Sequence, residues 1–186
     1  MKKTFLILSV CAFLAACQPP VDNSATEAFE KNCEVALAQI TGWENESLDY
    51  DAIYDEDALL RPTGFGSPDS MTLAEIKINN EQIWGALDFE LVTDVYFLPG
   101  VNANTKKPDG SVRYYGIWKV TVPATDSTEA RSGELKYYES FDFNEEGKIV
   151  FQQGYGDFGG LMKHLNEGHS EDEAEADSES EEFAEE

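Results

Sequence analysis

Between Ser111 and Asp157 apolar and polar residues alternate with a period of two, broken at two places. Tyr114, Gly116, Trp118 and Val120 fall on one face of the first stretch, and Leu135, Tyr137, Glu139, Phe141 and Phe143 on one face of the second. In the third, Ile149, Phe151, Gln153, Tyr155 and Asp157 share a face. Period-two patterning with many aromatics predicts three successive antiparallel strands. A Ser/Thr/Asp loop joins the first two, and the Asn144-Glu145-Glu146-Gly147 turn joins the last two.

Upstream the period becomes helical. Ser24-Ala25-Thr26-Glu27 reads as a capping box, and Phe29, Cys33, Leu37 and Ile40 follow at helical spacing with Ala36 on the same face. Gly42 is the expected helix end. Cys33 then belongs to the core, where apolar surroundings raise a thiol pKa and make it unreactive. Ser47 to Asp57 reads as a second, shorter helix, Ala58 to Arg61 as a brief strand, and Pro62 to Asp69 as a turn around Phe65. Thr72 and Glu75 form the clearest start signal, with Met71 placed to staple onto Ile76. Leu73, Ile76, Ile83, Trp84 and Leu87 make the apolar stripe of that third helix. Phe89 to Leu98 returns to strand character. Pro99 to Gly110 reads as a polar hairpin loop overhanging one end of the sheet, and Phe158 to Leu165 as a last short helix.

The chain ends follow neither period. Lys2 and Lys3 precede an apolar run from Phe5 to Ala15 that is short for a membrane span, and the run ends in Leu14-Ala15-Ala16-Cys17. That ending resembles a bacterial lipobox. The resemblance implies that residues 1–16 are a lipoprotein signal peptide and that Cys17 is acylated, palmitate-type chains holding the protein on the membrane. Gln18, rather than Asp, after the Cys implies the outer membrane, facing the periplasm. Residues 17–26 read as a tether and 27–165 as one domain. Residues 166–186, nearly all Glu, Asp, Ser and Ala, read as a disordered acidic tail that solvates the protein or meets a basic partner or divalent ions. With Cys11 removed and Cys17 carrying lipid, Cys33 stands alone and no internal disulfide is expected. The net charge of −24 argues against nucleic acid as a partner. No Cys/His metal spacing, phosphate-cradling glycine loop or Ser/His nucleophile pattern is present, so no cofactor is expected.

Three local patterns point to a family: Tyr54-Asp55-Glu56-Asp57-Ala58-Leu59, the capped helix Thr72 to Leu87, and Phe141-Asp142-Phe143-Asn144-Glu145-Glu146-Gly147-Lys148-Ile149-Val150 followed by Tyr155-Gly156-Asp157. Together with the element order they resemble the nuclear transport factor two-like superfamily, and within it the SnoaL-like domains. The resemblance implies an α+β fold in which a curved antiparallel sheet wraps N-terminal helices into a cystatin-like cone, with a pocket at the wide end and a homodimer through the sheet as one arrangement.

Within such a pocket the alternation singles out Glu139, Gln153 and Asp157 as polar residues among aromatics. A carboxylate beside aromatic rings has a raised pKa and can move a proton near neutrality. Glu139 is therefore the first acid/base candidate and Asp157 the second, with Arg61, Trp84, Tyr114, Trp118, Tyr137, Gln153 and Tyr155 as candidate ligand-binding residues. The structural alternatives are that Glu139 pairs with Arg61 or Lys119, and that Asp157 caps the helix beginning at Phe158. In the ketosteroid isomerases of the superfamily the catalytic Asp precedes a Pro, where this chain has Arg61 before Pro62. Dehydratase relatives use a His–Asp pair, yet His164 and His169 lie beyond the sheet. These departures favour a lipid-anchored, non-catalytic module that binds a small apolar or aromatic ligand or a partner protein. The alternative is a small cyclase, isomerase or hydratase using Glu139 or Asp157.

Overall fold

The structure, a computed structural model, describes residues 22–166. The lipobox, Cys17 and nearly all of the acidic tail lie outside the described residues. Helix α1 (Ser24–Glu44) is followed by the one-turn α2 (Tyr50–Ile53), β1 (Tyr54–Arg61), β2 (Met71–Thr72) and α3 (Leu73–Trp84). Then come β3 (Asp88–Leu91), β4 (Tyr96–Val101), β5 (Pro108–Val122), β6 (Arg131–Phe143) and β7 (Ile149–Tyr155). Residues 158–166 form a closing helix, α4.

The strands build one curved, unclosed sheet in the order β2-β1-β7-β6-β5-β3, with β4 also pairing β5. β5, β6 and β7 are the predicted meander, with eleven pairs in the β5–β6 register from Val112↔Phe141 to Val122↔Arg131. β1 joins the sheet by running parallel to β7. α1 lies mainly on β5, and Asn32 Nδ2 donates to the Gly110 carbonyl at 2.9 Å beneath it. The core between helix and sheet contains Ala36 and Ile40 from α1, Ile53 and Tyr54, the inward residues Val112, Tyr114, Trp118, Val120, Leu135, Phe141 and Ile149, and Leu161 and Leu165 of α4. Each large side chain buried there contributes about 1.5–3 kcal/mol, more than the roughly 0.5–1.5 kcal/mol net of a hydrogen bond. Packing therefore sets the fold.

Local signals were partly overruled by this packing. The capping box expected at Ser24 and Glu27 does not form. Ser24 is already helical, its N–H is taken by Asp22 Oδ1, and the Asn23 carbonyl accepts from Thr26 and Glu27. The tether thus gives way to helix at residue 24. Gly42 does not end α1, which continues to Glu44. A Cβ at Gly42 would sit 2.9 Å from Leu48 Cδ2, so this glycine serves close packing instead. The left-handed exit falls on Glu46, at φ 55°.

The second helix shrinks to α2, capped by Asp49 Oδ1, which accepts from Ala52 N–H at 3.1 Å. Tyr54 already belongs to β1, because pairing with Ile149 rewards extension there more than a marginal short helix does. The α3 capping box is present as expected, with the Thr72 and Glu75 groups bonded reciprocally. That helix ends at Trp84, short of Leu87. The predicted strand Phe89 to Leu98 is two strands, β3 and β4, which pair with different parts of β5. Continued pairing of Val101 with Pro108 shortens the expected loop to residues 102–107. The Asn144–Gly147 turn forms, with Gly147 at φ 83°, a conformation that favours glycine.

Candidate functional site

A cavity of about 600 Å³ opens between α1, α3 and the concave face of the sheet. α1 contributes Gln39 and Trp43, α3 contributes Ile76, Asn80 and Ile83, and the sheet contributes Tyr54, Trp118, Leu135, Tyr137, Glu139 and Gln152. The rim is formed by Arg61 to Phe65 and by Asp157 to Gly159. The volume lies within the usual range for a small-molecule site, and the walls are chiefly apolar with few polar groups.

Glu139 occupies the middle of the sheet wall at 5% exposure. Its Oε1 accepts from Gln152 Nε2 at 2.5 Å and from the Tyr137 hydroxyl at 3.3 Å. Gln152 in turn accepts from the Tyr54 hydroxyl at 2.6 Å. Tyr54, Gln152, Glu139 and Tyr137 therefore form one buried chain of hydrogen bonds. Neither expected cation reaches it: Lys119 pairs with Glu90 at 3.2 Å, and the Arg61 guanidinium lies over the Phe151 ring at 5.3 Å. Burial pushes the Glu139 carboxyl up to about 7, against the opposing pull of the Gln152 and Tyr137 donors. Burial, reinforced by the charge of Glu139, likewise raises the Tyr54, Tyr137 and Tyr114 hydroxyls.

Two glycines make the inward hydroxyls fit. A Cβ at Gly154 would overlap the Tyr137 hydroxyl, and one at Gly116 would overlap that of Tyr114. Gly154 lies directly opposite Glu139 in the β6–β7 ladder. Small residues at these points let large side chains lie along the sheet rather than across it.

The sequence-selected residues divide. Glu139, Tyr137, Trp118, Arg61 and Asp157 all line the cavity. Asp157 is exposed at the rim, where its Oδ1 accepts from Gly160 N–H at 2.9 Å and starts α4. Tyr114 is fully buried behind the wall, and Trp84 stands behind Trp43 with ring centroids 5.2 Å apart. Neither lines the cavity. Gln153 and Tyr155 are on the opposite face of the sheet and bond to each other, Gln153 Nε2 donating to Tyr155 Oη at 2.5 Å.

That correction has one cause. Phe143 pairs with Ile149 and Asp142 with Phe151, which leaves Val150 as an extra residue and reverses the facing of all that follows. Gln152, not Gln153, is thereby turned inward. On the outer face Tyr96, Tyr115, Tyr138 and Tyr155 are register partners across β4 to β7 and form a row of tyrosines. Sequence reasoning also missed Gln39, 4% exposed on α1, which carried no sign of its role beyond its place beside Ala36 and Ile40. Among the described residues no group of three or more His, Cys, Asp or Glu side chains could hold a metal ion.

The sequence matches no family model and no curated protein. Its structure matches solved ones. A nuclear transport factor two-like protein from Burkholderia xenovorans superposes with TM-score 0.55 at 13% identity, covering 74% of this chain and 97% of that one. A SnoaL-like polyketide cyclase, so described, from Shewanella denitrificans gives 0.53 at 11%, with 74% and 97% covered. A phenazine biosynthesis-related protein from Pseudomonas aeruginosa gives 0.55 at 15%, with 83% and 92% covered. Identities this low speak for the fold. The chain has the nuclear transport factor two-like fold.

Proposed function

We propose that this SnoaL-like domain binds a small, largely apolar molecule in its concave cavity, and does so from the bacterial cell envelope, held by lipid on Cys17 at the outer membrane and facing the periplasm. One observation carries the binding reading: Glu139 faces a roomy, aromatic-walled cavity and has no basic partner among the described residues. A residue kept only for structure would have its charge neutralised by Arg61 or Lys119, both of which are engaged elsewhere. The test is a titration of the purified full-length chain with phenylbutanol, followed by tryptophan fluorescence. All three tryptophans report, because Trp43 and Trp118 line the cavity and Trp84 touches Trp43. Saturable quenching that is lost when Ile83→Trp fills the cavity supports the reading. Quenching that survives Ile83→Trp places the ligand elsewhere.

A second reading is favoured by the ionisation of Glu139. A carboxyl that titrates at about 7 holds and releases a proton at working pH, as a general acid or base must. The domain would then be a small cyclase-, isomerase- or hydratase-type enzyme. Turnover that changes through pH 7, rising for a base and falling for an acid, and that is abolished by Glu139→Gln distinguishes this reading from binding alone. Asp157 is the weaker acid/base candidate, since its carboxylate already caps α4. The outer sheet face, with its tyrosine row, is the surface proposed for a homodimer.

A further inference from the structure

Hydrogen-bond accounting inside the cavity is lopsided. The Tyr54 and Tyr137 hydroxyls and the Gln152 amide direct their hydrogens along the buried chain to Gln152 Oε1 and Glu139 Oε1. Among the described residues, nothing donates to Glu139 Oε2, and Gln39 Oε1 is buried with no partner. Both side chains are more than nine-tenths buried and line the same cavity from opposite walls, one on β6 and one on α1. The atoms left over at Glu139 and Gln39 are both acceptors, and one belongs to a carboxylate. Buried polar groups without partners are costly, so a ligand that fills this site supplies hydrogens.

The walls favour the same kind of ligand. Trp43, Phe89 and Trp118 form a continuous aromatic wall, with ring centroids 5.4 Å and 6.3 Å apart, and Tyr54 and Tyr137 add two more rings. Aromatic faces carry negative electrostatic potential and attract cations, more strongly where water is excluded. The strongly acidic chain draws cations toward the mouth over a longer range.

The geometry points to an ammonium-bearing ligand: an amine on an aromatic or alkyl body, its charged head donating to Glu139 Oε2 and Gln39 Oε1 and its body against Trp43, Phe89 and Trp118. This rests on the binding reading above and narrows its ligand class. The other charged groups facing the cavity sit at its rim. Arg61 on β1 is turned onto Phe151, and Asp157 caps α4. Within the wall, among the described residues, α1, α3, β3, β5 and β7 present Gln39, Asn79, Asn80 and Gln152 as further polar groups, all uncharged, beside aromatic and aliphatic ones. Glu139 is therefore the group whose ionisation the amine senses. Ammonium binding needs the carboxylate, so affinity rises with pH through about 7 while the probe itself stays charged.

The experiment compares three probes of one shape on the full-length chain by tryptophan fluorescence: phenylbutylamine, phenylbutanol and phenylbutyrate. Near pH 8 the amine binds about tenfold more tightly than the alcohol, and the carboxylate binds more weakly than either. Amine affinity tightens roughly tenfold between pH 6 and pH 8, while that of the alcohol stays level. Glu139→Gln brings amine and alcohol within about twofold of each other and removes the pH dependence. If that variant does not fold, the wild-type pH profile alone decides. Amine and alcohol binding equally at every pH overturns the ammonium assignment and leaves the apolar pocket standing. Binding by none of the three overturns the pocket itself.

Discussion

Glu139 is surrounded by hydroxyl, amide and ring, with no cation within bonding distance among the described residues, so its ionisation is decided by burial. The consequence for stability has a definite sign. From the ordinary carboxyl value of 4.5 up to about 7 the folded chain holds a proton that the unfolded chain has released. Stability from this residue is thus highest below that window and falls as pH rises through it, by roughly 3 kcal/mol in all. Glu139→Gln lacks this dependence. Its advantage over wild type in urea denaturation grows between about pH 5 and pH 8; an unchanging difference contradicts the burial argument. Glu75 works in the opposite direction, because the Thr72 N–H holds its carboxyl below the usual value and its contribution is lost only as acid protonates it. Gly154→Ala forces the Tyr137 ring away from Glu139. It lowers the melting temperature, whereas the same change at the exposed Gly66, where no atom lies within 4 Å of the new Cβ, acts only through a φ of 79°.

At the scale of elements, what the sequence made legible was what neighbours along the chain decide. The α3 capping box was readable because Thr72 and Glu75 satisfy each other locally. Thr72→Ala is expected to cost about 1 kcal/mol, measurable by equilibrium denaturation. The strands β5 and β6 were readable because an aromatic alternation over so many residues fits only one sheet face. The facing of β7 was not. Val150 reads as an ordinary strand residue, and its exclusion from the ladder comes from the way Phe143 and Ile149 pair across the turn. One extra residue moved Gln153 and Tyr155 out of the site and Gln152 in. The parallel docking of β1 onto β7 escaped for the same reason, as partners so far apart in sequence leave no periodic trace. Gly42 misled in the other direction: a glycine suits both a helix stop and a tight contact, and only Leu48 shows which applies.

At the scale of the molecule, the buried hydrogen-bond chain joins β1, β7 and β6, so it exists only when these three strands are assembled. Gln152→Leu is expected to remove the acceptor of the Tyr54 hydroxyl and the shorter of the two bonds to Glu139, lowering stability by about 2–3 kcal/mol, read by denaturation at constant pH. The proposed lipid anchor is tested separately from that unit. Cys17→Ala is expected to abolish palmitate labelling and release the chain to the soluble fraction; retained labelling contradicts the lipid anchor. Sedimentation of wild type against Tyr115→Ser tests the sheet dimer, which predicts a concentration-dependent species in the wild type alone.

Glu139 is a buried carboxyl facing the cavity, with amide and hydroxyl donors and no cationic partner among the described residues. A carbon-13 titration of its side-chain carboxyl in the full-length chain, assigned by loss of the signal in Glu139→Gln, reads that claim directly. The expected midpoint is about 7, moving downward when phenylbutylamine is added. A midpoint near the ordinary 4.5, unmoved by the amine, contradicts it.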